Sequence, residues 1–314
     1  MHSRSSDPLA ALITLLRPQA VLSKIVSGAG RWSVRYPPHE HPGFCLMLEG
    51  SCFLDADGVG SFELHAGDFV LLPAVPAFTL ASDLSVTATP VRPTHRPELR
   101  HGTRSGPPSM RQLGGYFRFD RANADLVVEL LQAYVLIRRG ERGSARIRRV
   151  IELIADEATE LRDGRDLILE RLVEVLLVEA LRFRPPDAER RERGLLAGLA
   201  DPALARALRL VHGDVARPWT VAELARTAGM SRAVFAERFA RKVGVPPMEY
   251  VLEWRIAIAK DLLLRERQPL AEVATRVGYG SASAFSTAFT RRVGCAPSTF
   301  KRLPDVCDGA PQRG

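Results

Sequence analysis

Short apolar runs separated by turn residues occupy the first 120 positions of the chain. The run Phe44–Leu48 ends at Glu49 and Gly50, a further turn falls at 55–58, and the apolar run 69–72 ends at Pro73. Strands at this spacing are typical of an antiparallel sandwich or barrel. Residues 92–115, rich in Pro, Gly, Arg and His, are expected to form a loop, and residues 116–119 one more strand.

After Asp120 the apolar residues recur at intervals of three and four. This spacing predicts two or three amphipathic helices up to about Phe183. A charged, proline-containing segment then indicates a linker, and from Asp201 onward the pattern is helical. We therefore predict an α+β protein of two domains. Their expected limits are 1–183 (strands about 20–120, helices about 121–183), linker 184–200, all-α domain 201–303 and tail 304–314.

The helical region contains an internal repeat, in which residues 221–247 resemble residues 270–297. Matching residues lie 49 positions apart before the turn and 50 apart after it, so the one inserted residue falls in the turn. The matching residues are Ala222, Glu223, Ala225, Gly229, Phe235, Phe239, Arg241, Val243, Gly244 and Pro247 in the first copy. The second copy has Ala271, Glu272, Ala274, Gly278, Phe285, Phe289, Arg291, Val293, Gly294 and Pro297.

Each copy carries the signals that start and stop helices. Thr220 and Glu223 predict a capping box, and Pro269 is expected at the first helical position of the second copy. A glycine in each turn supplies a positive φ, and a serine then caps the next helix; these pairs are Gly229 with Ser231 and Gly278 with Ser281. The pattern indicates two helix-turn-helix units, 220–243 and 269–292. A plain helical bundle with a chance likeness is the alternative, and two copies in register argue against it.

The net charge of +8 is unevenly distributed. Residues 201–314 contain 18 Lys and Arg against 11 Asp and Glu, whereas the first 200 residues contain 26 against 25. A genome-wide bias toward arginine would act on both parts. The asymmetry therefore favours a polyanionic partner, such as DNA, for the helical domain.

The helical region, over about 201–303, resembles the DNA-binding domain of the AraC/XylS family. The most specific matches are Gly-Tyr-Gly-Ser-x-Ser-x-Phe-Ser-x-x-Phe at 278–289, Val-Gly-Cys-x-Pro-x-x-Phe at 293–300, and Trp254–Arg255 with Ala257 and Leu262. The resemblance implies a sequence-specific transcription regulator whose two recognition helices enter successive major-groove segments. It also implies double-stranded DNA and RNA polymerase as partners, and a homodimer. Whether the protein activates or represses stays open.

The buried phenylalanines define which face of each recognition helix would meet DNA. Serine, threonine and arginine can bond base edges or phosphates, and alanine can contact a thymine methyl group. The expected DNA-binding residues are Arg232, Ala233, Ala236, Glu237 and Arg241 in the first unit. In the second unit they are Ser281, Ala282, Ser283, Ser286, Thr287, Thr290 and Arg291. For each arginine, a role as ordinary solvated surface is the alternative.

The strand-rich region resembles the cupin-type sensor domain found in front of many such DNA-binding domains. The matching pieces are His39-Glu-His41, Leu48-Glu-Gly50 and the motif at 67–73. Cys45 or Leu46 replaces the glutamate of metal-binding cupins, and Phe78 replaces their last histidine, which makes an enzymatic metal site doubtful. The alternative function is a cupin-type metalloenzyme with an accessory DNA-binding domain; a third is an architectural DNA-binding protein without sequence preference.

Three kinds of signal remain open for this domain: a small molecule, a transition metal or a redox change. Zinc or copper could be held by His39, His41 and Cys45 with His95 or His101; ordinary polar lining of the barrel is the alternative. If Glu49 and Gly50 form a hairpin turn, Cys45 and Cys52 are diagonal neighbours, ~7–8 Å apart and slightly beyond disulfide reach. Inert buried thiols are the alternative to a redox switch.

Other sequence features bear on secretion, membrane insertion and cysteine-based structural sites. The apolar run near the start lacks a small-residue cleavage site, so we expect no signal peptide. No stretch approaches 18 uncharged apolar residues, so no membrane span is expected. The four cysteines show no CxxC spacing, which argues against a zinc knuckle or a disulfide scaffold. The expectation is a cytoplasmic protein.

Overall fold

The computed structural model describes residues 7–91, 98–119, 123, 134–141, 145–159, 162–183, 193–266 and 268–302, without the side chains of 22–24, 159 and 266. The chain divides into two compact units. One comprises residues 18–119 and 131–191, and the other comprises residues 1–17, 120–130 and 192–314.

The first unit is built on two facing β-sheets. Its strands are β1 (Gln19–Ala29), β2 (Ser33–Tyr36), β3 (Gly43–Glu49), β4 (Ser51–Ala56), β5 (Gly60–His65), β6 (Phe69–Leu72), β7 (Phe78–Ala81), β8 (Thr89–Pro90), β9 (Glu98–Gly102), β10 (Met110–Arg118) and β11 (Val135–Ile137). One sheet has the order β11-β6-β3-β10-β1-β9 and the other β5-β4-β7-β2-β8. Nearly all pairings are antiparallel; β1 with β9 and β2 with β8 are parallel.

Two expectations about these strands are wrong. β3 and β4 lie in different sheets, so Glu49 and Gly50 do not form a hairpin turn; the chain crosses there from one sheet to the other. A Cβ at Gly50, whose φ is +68°, would stand 1.9 Å from the carbonyl oxygen of Ser109, so only glycine fits this crossing. The region 92–115 is not one loop, because β9 and most of β10 lie in it. β10 pairs with β1 and β3 in the middle of the larger sheet.

Two helices follow the strands, α2 (Ala145–Thr159) and α3 (Arg165–Arg182). They pack against each other, and α3 also packs on β1 and β11. Their apolar faces are buried through residues such as Ile147, Ile154, Val173 and Leu177, as the spacing predicts. The helix expected from Leu126 lies outside the described residues, and residues 135–137 form strand β11 rather than helix.

The second unit is helical. Its helices are α1 (Pro8–Leu16), α4 (Leu195–Ala200), α5 (Pro202–Gly213), α6 (Val221–Ala228), α7 (Arg232–Val243), α8 (Pro247–Asp261), α9 (Leu270–Arg276), α10 (Ala282–Val293) and α11 (Pro297–Arg302), with a π-helical segment Leu262–Glu266 after α8. The N-terminal helix α1 packs on α5 and α8. Asp7 and Asp201 cap α1 and α5, each followed by a proline at the first helical position.

Two helix-turn-helix units are confirmed, α6–α7 and α9–α10. Thr220 and Glu223 form the capping box, and Gly229 and Gly278 have φ of +71° and +84°. The serines cap as expected, since Ser231 Oγ accepts from the N–H of Val234 and Ser281 Oγ from that of Ala284. The prediction that Pro269 takes the first helical position is wrong. Pro269 is the N-cap, with extended backbone, and α9 begins at Leu270.

The helical unit has a core for each copy of the repeat. In the second copy, Phe285, Phe289 and Phe300 pack with residues of α8, the π-helical segment and α9; Cys295, which is disulfide-bonded, packs at its edge. In the first copy, Phe239 meets Phe235 and Tyr250. Helix α4 lies within the expected linker, because its apolar sequence Leu-Leu-Ala-Gly-Leu-Ala packs on α5 and α7.

Candidate functional site

The outward face of α7 is set by its three buried residues, Phe235, Phe239 and Val243. Of the residues expected to face DNA, Arg232, Ala233, Glu237 and Arg241 are exposed and Ala236 is half-buried. Glu237 and Arg241 are one helical turn apart and form an ion pair of 3.6 Å. The carboxylate of Glu237 is therefore partnered, which lowers the repulsion expected if it approaches phosphates.

The outward face of α10 is set in the same way by Phe285, Phe289 and Val293. Of the residues expected to face DNA, Ser281, Ser283, Thr287, Thr290 and Arg291 are exposed, whereas Ala282 and Ser286 are half-buried. Ser281 Oγ is occupied by the helix cap, and Thr287 Oγ1 donates to the carbonyl oxygen of Ser283 at 3.1 Å. This face is small and hydroxylated, unlike the charged face of α7.

Ion pairs that the sequence does not reveal hold both recognition helices in place. Arg238 on α7 donates to Asp201 at 2.6 Å, and Asp201 also caps α5. On α10, Arg292 bonds the buried Glu253 of α8. Each pair fixes a recognition helix from the side, so the outward face keeps its orientation relative to the scaffold.

The recognition helices also carry an outward residue that sequence reasoning missed. Val234 is 53% exposed, and its equivalent in the second copy, Ala284, is also exposed. Val234, Glu237 and Arg241 are spaced by three and four residues, so they form one stripe along the outside of α7. The sequence contained the information needed to predict this exposure, because helical spacing places Val234 on the same face as Glu237 and Arg241.

In the strand-rich unit, the two thiols lie between the sheets. Cys45 Sγ is 2.9 Å and Cys52 Sγ 3.9 Å from the same acceptor, Gln112 Oε1. Cys52 Sγ also lies 3.8 Å from Met47 Sδ. Burial raises the pKa of the Cys52 thiol to about 12 and that of Cys45 well above its usual range. Both shifts favour the protonated thiol over the thiolate, which is the form that reacts as a nucleophile.

The predicted histidines do not join the thiols. His101 is buried, 3.1 Å from the hydroxyl of Tyr36, and stacks on Trp32 with ring centroids 5.4 Å apart. His39 and His41 lie near the surface, and His41 stacks on Tyr116. His95 lies outside the described residues.

Over the described ranges, no group of three or more His, Cys, Asp or Glu residues is arranged to hold a metal ion. The hypothesised metal site of His39, His41 and Cys45 is therefore not assembled. The reason is the fold: Cys45 points between the sheets toward Gln112, whereas the two histidines contact Tyr116.

A cavity of about 410 Å³ opens elsewhere in this unit, at the start of β6. It is lined by Glu63, His65, Ala66, Asp68, Arg138, Arg139 and Gly140. Asp68 is buried and accepts from Arg138 Nη1 at 2.8 Å and from the N–H of Arg139 at 3.0 Å. These residues were missed by sequence reasoning because the arginines lie about 70 positions from Asp68 along the chain.

Comparison with known proteins shows the family to which the chain belongs. The family model described as "Cupin" matches residues 7–183, and the one described as "Helix-turn-helix domain" matches residues 224–303. An AraC-like transcription regulator of Streptomyces lividans is 35% identical over 302 residues, which cover 96% of this chain and 99% of that protein. This chain belongs to the AraC/XylS family of transcription regulators.

Two further relatives of this AraC-family regulator match nearly its whole length. An AraC-like transcription regulator of Streptomyces antibioticus is 35% identical over 303 residues, covering 95% of this chain and 99% of that protein. The RCS-specific transcriptional activator RclR of Escherichia coli is 30% identical over 298 residues, covering 94% and 97%. The relatives are named as regulators, and with its helix-turn-helix domain the AraC-family regulator is a DNA-binding transcription regulator. None of the helices in the described ranges has the length and apolar character needed to cross a membrane.

Proposed function

We propose that α7 and α10 read two successive major-groove segments on one face of double-stranded DNA. The observation that carries this proposal is the pair of outward faces on repeated, laterally anchored helices. A helix that enters the major groove presents its outward side chains to base edges. The face of α7 combines Arg232, Glu237 and Arg241, whereas that of α10 presents Ser283 and Thr287. Because the faces differ, one chain would recognise two unlike half-sites.

A carboxylate placed on the second face tests this assignment. Ser283→Glu points a negative charge at base-edge acceptors and phosphates, so specific affinity is expected to fall by at least 100-fold, or about 3 kcal/mol. The same substitution at an exposed position away from the face, Thr275→Glu, is the control. Operator affinity is measured at fixed salt by fluorescence anisotropy. Unchanged affinity in Ser283→Glu would show that α10 does not present this face to DNA.

We also propose that the cupin domain responds to a small molecule bound in the 410 Å³ cavity. The volume lies within the range of small-molecule sites. His65, Arg138 and Arg139 can meet an anionic group, and Glu63 can accept hydrogen bonds. The high pKa of both thiols and the dispersed histidines favour this proposal over a thiolate-based redox switch or a metal site.

A ligand screen by thermal shift on the full chain tests the signal. A true effector should raise the melting temperature, change operator affinity, and lose both effects in His65→Ala with Glu63→Ala. A response to transition metals or oxidants that survives these changes and disappears in Cys45→Ser would contradict the cavity and support the thiol cluster instead.

We further propose a homodimer formed through α2 and α3. Four large apolar residues are exposed there, Leu153 on α2 and Leu167, Ile168 and Val175 on α3. Ile168 and Val175 are seven residues apart, the spacing of a helix–helix seam. Sedimentation equilibrium should show a dimer in the wild type and a monomer in Ile168→Glu with Val175→Glu.

RNA polymerase is the remaining expected partner. Its recruitment by the protein would be detected as activated transcription from a promoter that carries the selected operator.

A further inference from the structure

Val234 is the most outward-facing large apolar side chain on either recognition helix. It is 53% exposed and stands between Ala233 and Phe235, on a helix whose other exposed side chains are charged or small. The contact of this exposed apolar surface with water is unfavourable. Arg238, one turn further along, is turned aside to Asp201. The Arg238 side chain therefore leaves Val234 accessible to a molecule that binds the outward face of α7.

The position of Val234 within the helix suggests what that surface is. Its N–H bonds Ser231 Oγ at 3.4 Å, which places it in the first turn of α7. Recognition helices contact base edges with the residues near their N-terminus. The stripe continues through Glu237 to Arg241 in the direction of the helix C-terminus, so an apolar group comes first and charged groups follow.

The major groove presents one apolar group on an unmodified base, the C5-methyl group of thymine. We infer that Val234 packs against a thymine methyl group and thereby sets a thymine preference at one position of the half-site read by α7. This inference rests on the proposed role of α7 as a DNA-reading helix. The second copy has Ala284 at the equivalent place, whose smaller side chain covers less of a methyl group, so the preference belongs to the first half-site.

The expected effect is modest because a single methyl group is involved. Burying one such group corresponds to about 0.8 kcal/mol, or about fourfold in affinity. Removing the thymine methyl should therefore weaken wild-type binding about fourfold at one position. Removing the Val234 side chain should abolish that sensitivity, since the methyl group then has no partner to lose.

The test crosses the two changes. A preferred site is first selected from random duplex DNA with the full-length wild-type protein. Each thymine of the site is then replaced singly by deoxyuridine, which lacks only the methyl group, and affinities are measured at one salt concentration for wild type and Val234→Ala. Leu210→Ala is the matched control, because Leu210 is also exposed (42%) but lies on α5.

One deoxyuridine position in the α7 half-site is expected to weaken wild type and Leu210→Ala about fourfold and to have no effect on Val234→Ala. Equal effects of deoxyuridine on wild type and Val234→Ala at every thymine would overturn the inference, even if both proteins bind the selected site tightly. That result would leave the DNA-reading role of α7 intact. Loss of that role would instead appear as unchanged affinity in an α7 face variant, Glu237→Lys with Arg241→Glu.

Discussion

The turn glycines of the two repeats offer a matched pair whose substitutions should differ in cost. Gly229 and Gly278 occupy equivalent positions and both have left-handed backbone, with φ of +71° and +84°. A Cβ at Gly229 meets nothing within 4 Å, whereas a Cβ at Gly278 would stand 2.3 Å from the carbonyl oxygen of Ala216 and 2.8 Å from its carbonyl carbon. Alanine is therefore strained at both positions but has room at only one.

The magnitudes follow from these distances. Left-handed backbone costs an alanine roughly 1–2 kcal/mol, and the stiffer unfolded chain returns about 0.4–1 kcal/mol. Gly229→Ala should thus destabilise by about 1 kcal/mol. Gly278→Ala adds a collision with backbone that cannot rotate away, worth about 1–3 kcal/mol more. We expect a total of about 2–4 kcal/mol for Gly278→Ala.

Urea denaturation of the full chain, read by peptide-resolved hydrogen exchange, measures these costs for the helical unit separately. With a urea slope of about 1–3 kcal/mol per molar, Gly278→Ala should lower the midpoint by about 1–2 M and Gly229→Ala by less than about 1 M. Equal shifts in the midpoint would refute the reasoning, because they would mean that the turn between α9 and α10 does not lie against Ala216.

Three further predictions concern the helical unit. Thr220→Ala removes the cap of α6 and should cost about 1 kcal/mol in urea denaturation; Thr275→Ala, on an exposed face, should cost less than half of that. Arg238→Met leaves the buried Asp201 carboxylate without its ion pair and, because Arg238 is itself partly exposed, should cost about 1–2 kcal/mol, whereas Arg241→Met should leave stability unchanged. His212 is buried beside Tyr250 and Trp254, and burial lowers its pKa to about 3. Its folded pKa lies below the unfolded value, so its contribution to stability is complete above about pH 6.5 and is lost at about 1.4 kcal/mol per pH unit as the pH falls toward 3. Free energies of unfolding measured from pH 7 to pH 5 should fall by about 2 kcal/mol more in the wild type than in His212→Gln, and parallel curves would contradict this.

The helix-turn-helix repeat could be predicted from sequence because its signals are local. A capping box, a turn glycine and a capping serine each act within a few residues, and two phenylalanines four apart mark the buried face. Asp7 and Pro8 carry local signals of the same kind. They stand directly before the apolar run at 9–16, and they are the cap and first residue of α1.

The sheet topology could not be predicted in the same way, because strand pairing joins residues far apart in the chain. Gly50 looks like the turn of a hairpin, but its neighbours pair with other strands: Glu49 with Arg111, and Ser51 with His65. The sequence predicts a loop up to Gly115 where β10 lies, since two adjacent glycines, Gly114 and Gly115, lower the strand signal. A Cβ at Gly115 would stand 2.6 Å from the carbonyl oxygen of Val21, so close strand approach explains that glycine.

The candidate sites also differ in how far the sequence predicts them. The outward faces of α7 and α10 follow from helical periodicity, which needs only the positions of the buried phenylalanines. The cavity beside Asp68 depends on Arg138 and Arg139, and the partner of Arg238 is Asp201, 37 residues away. Long-range pairs of this kind leave no periodic trace in one sequence.

Competition binding tests the central claim most directly. The account predicts that the full-length protein prefers its selected site over random duplex DNA of equal length by at least about 1,000-fold at physiological salt, or about 4 kcal/mol. Variants of either outward face, Ser283→Glu or Glu237→Lys with Arg241→Glu, should each reduce that ratio. Equal affinity for selected and random DNA at matched salt would contradict sequence-specific reading by the two helices.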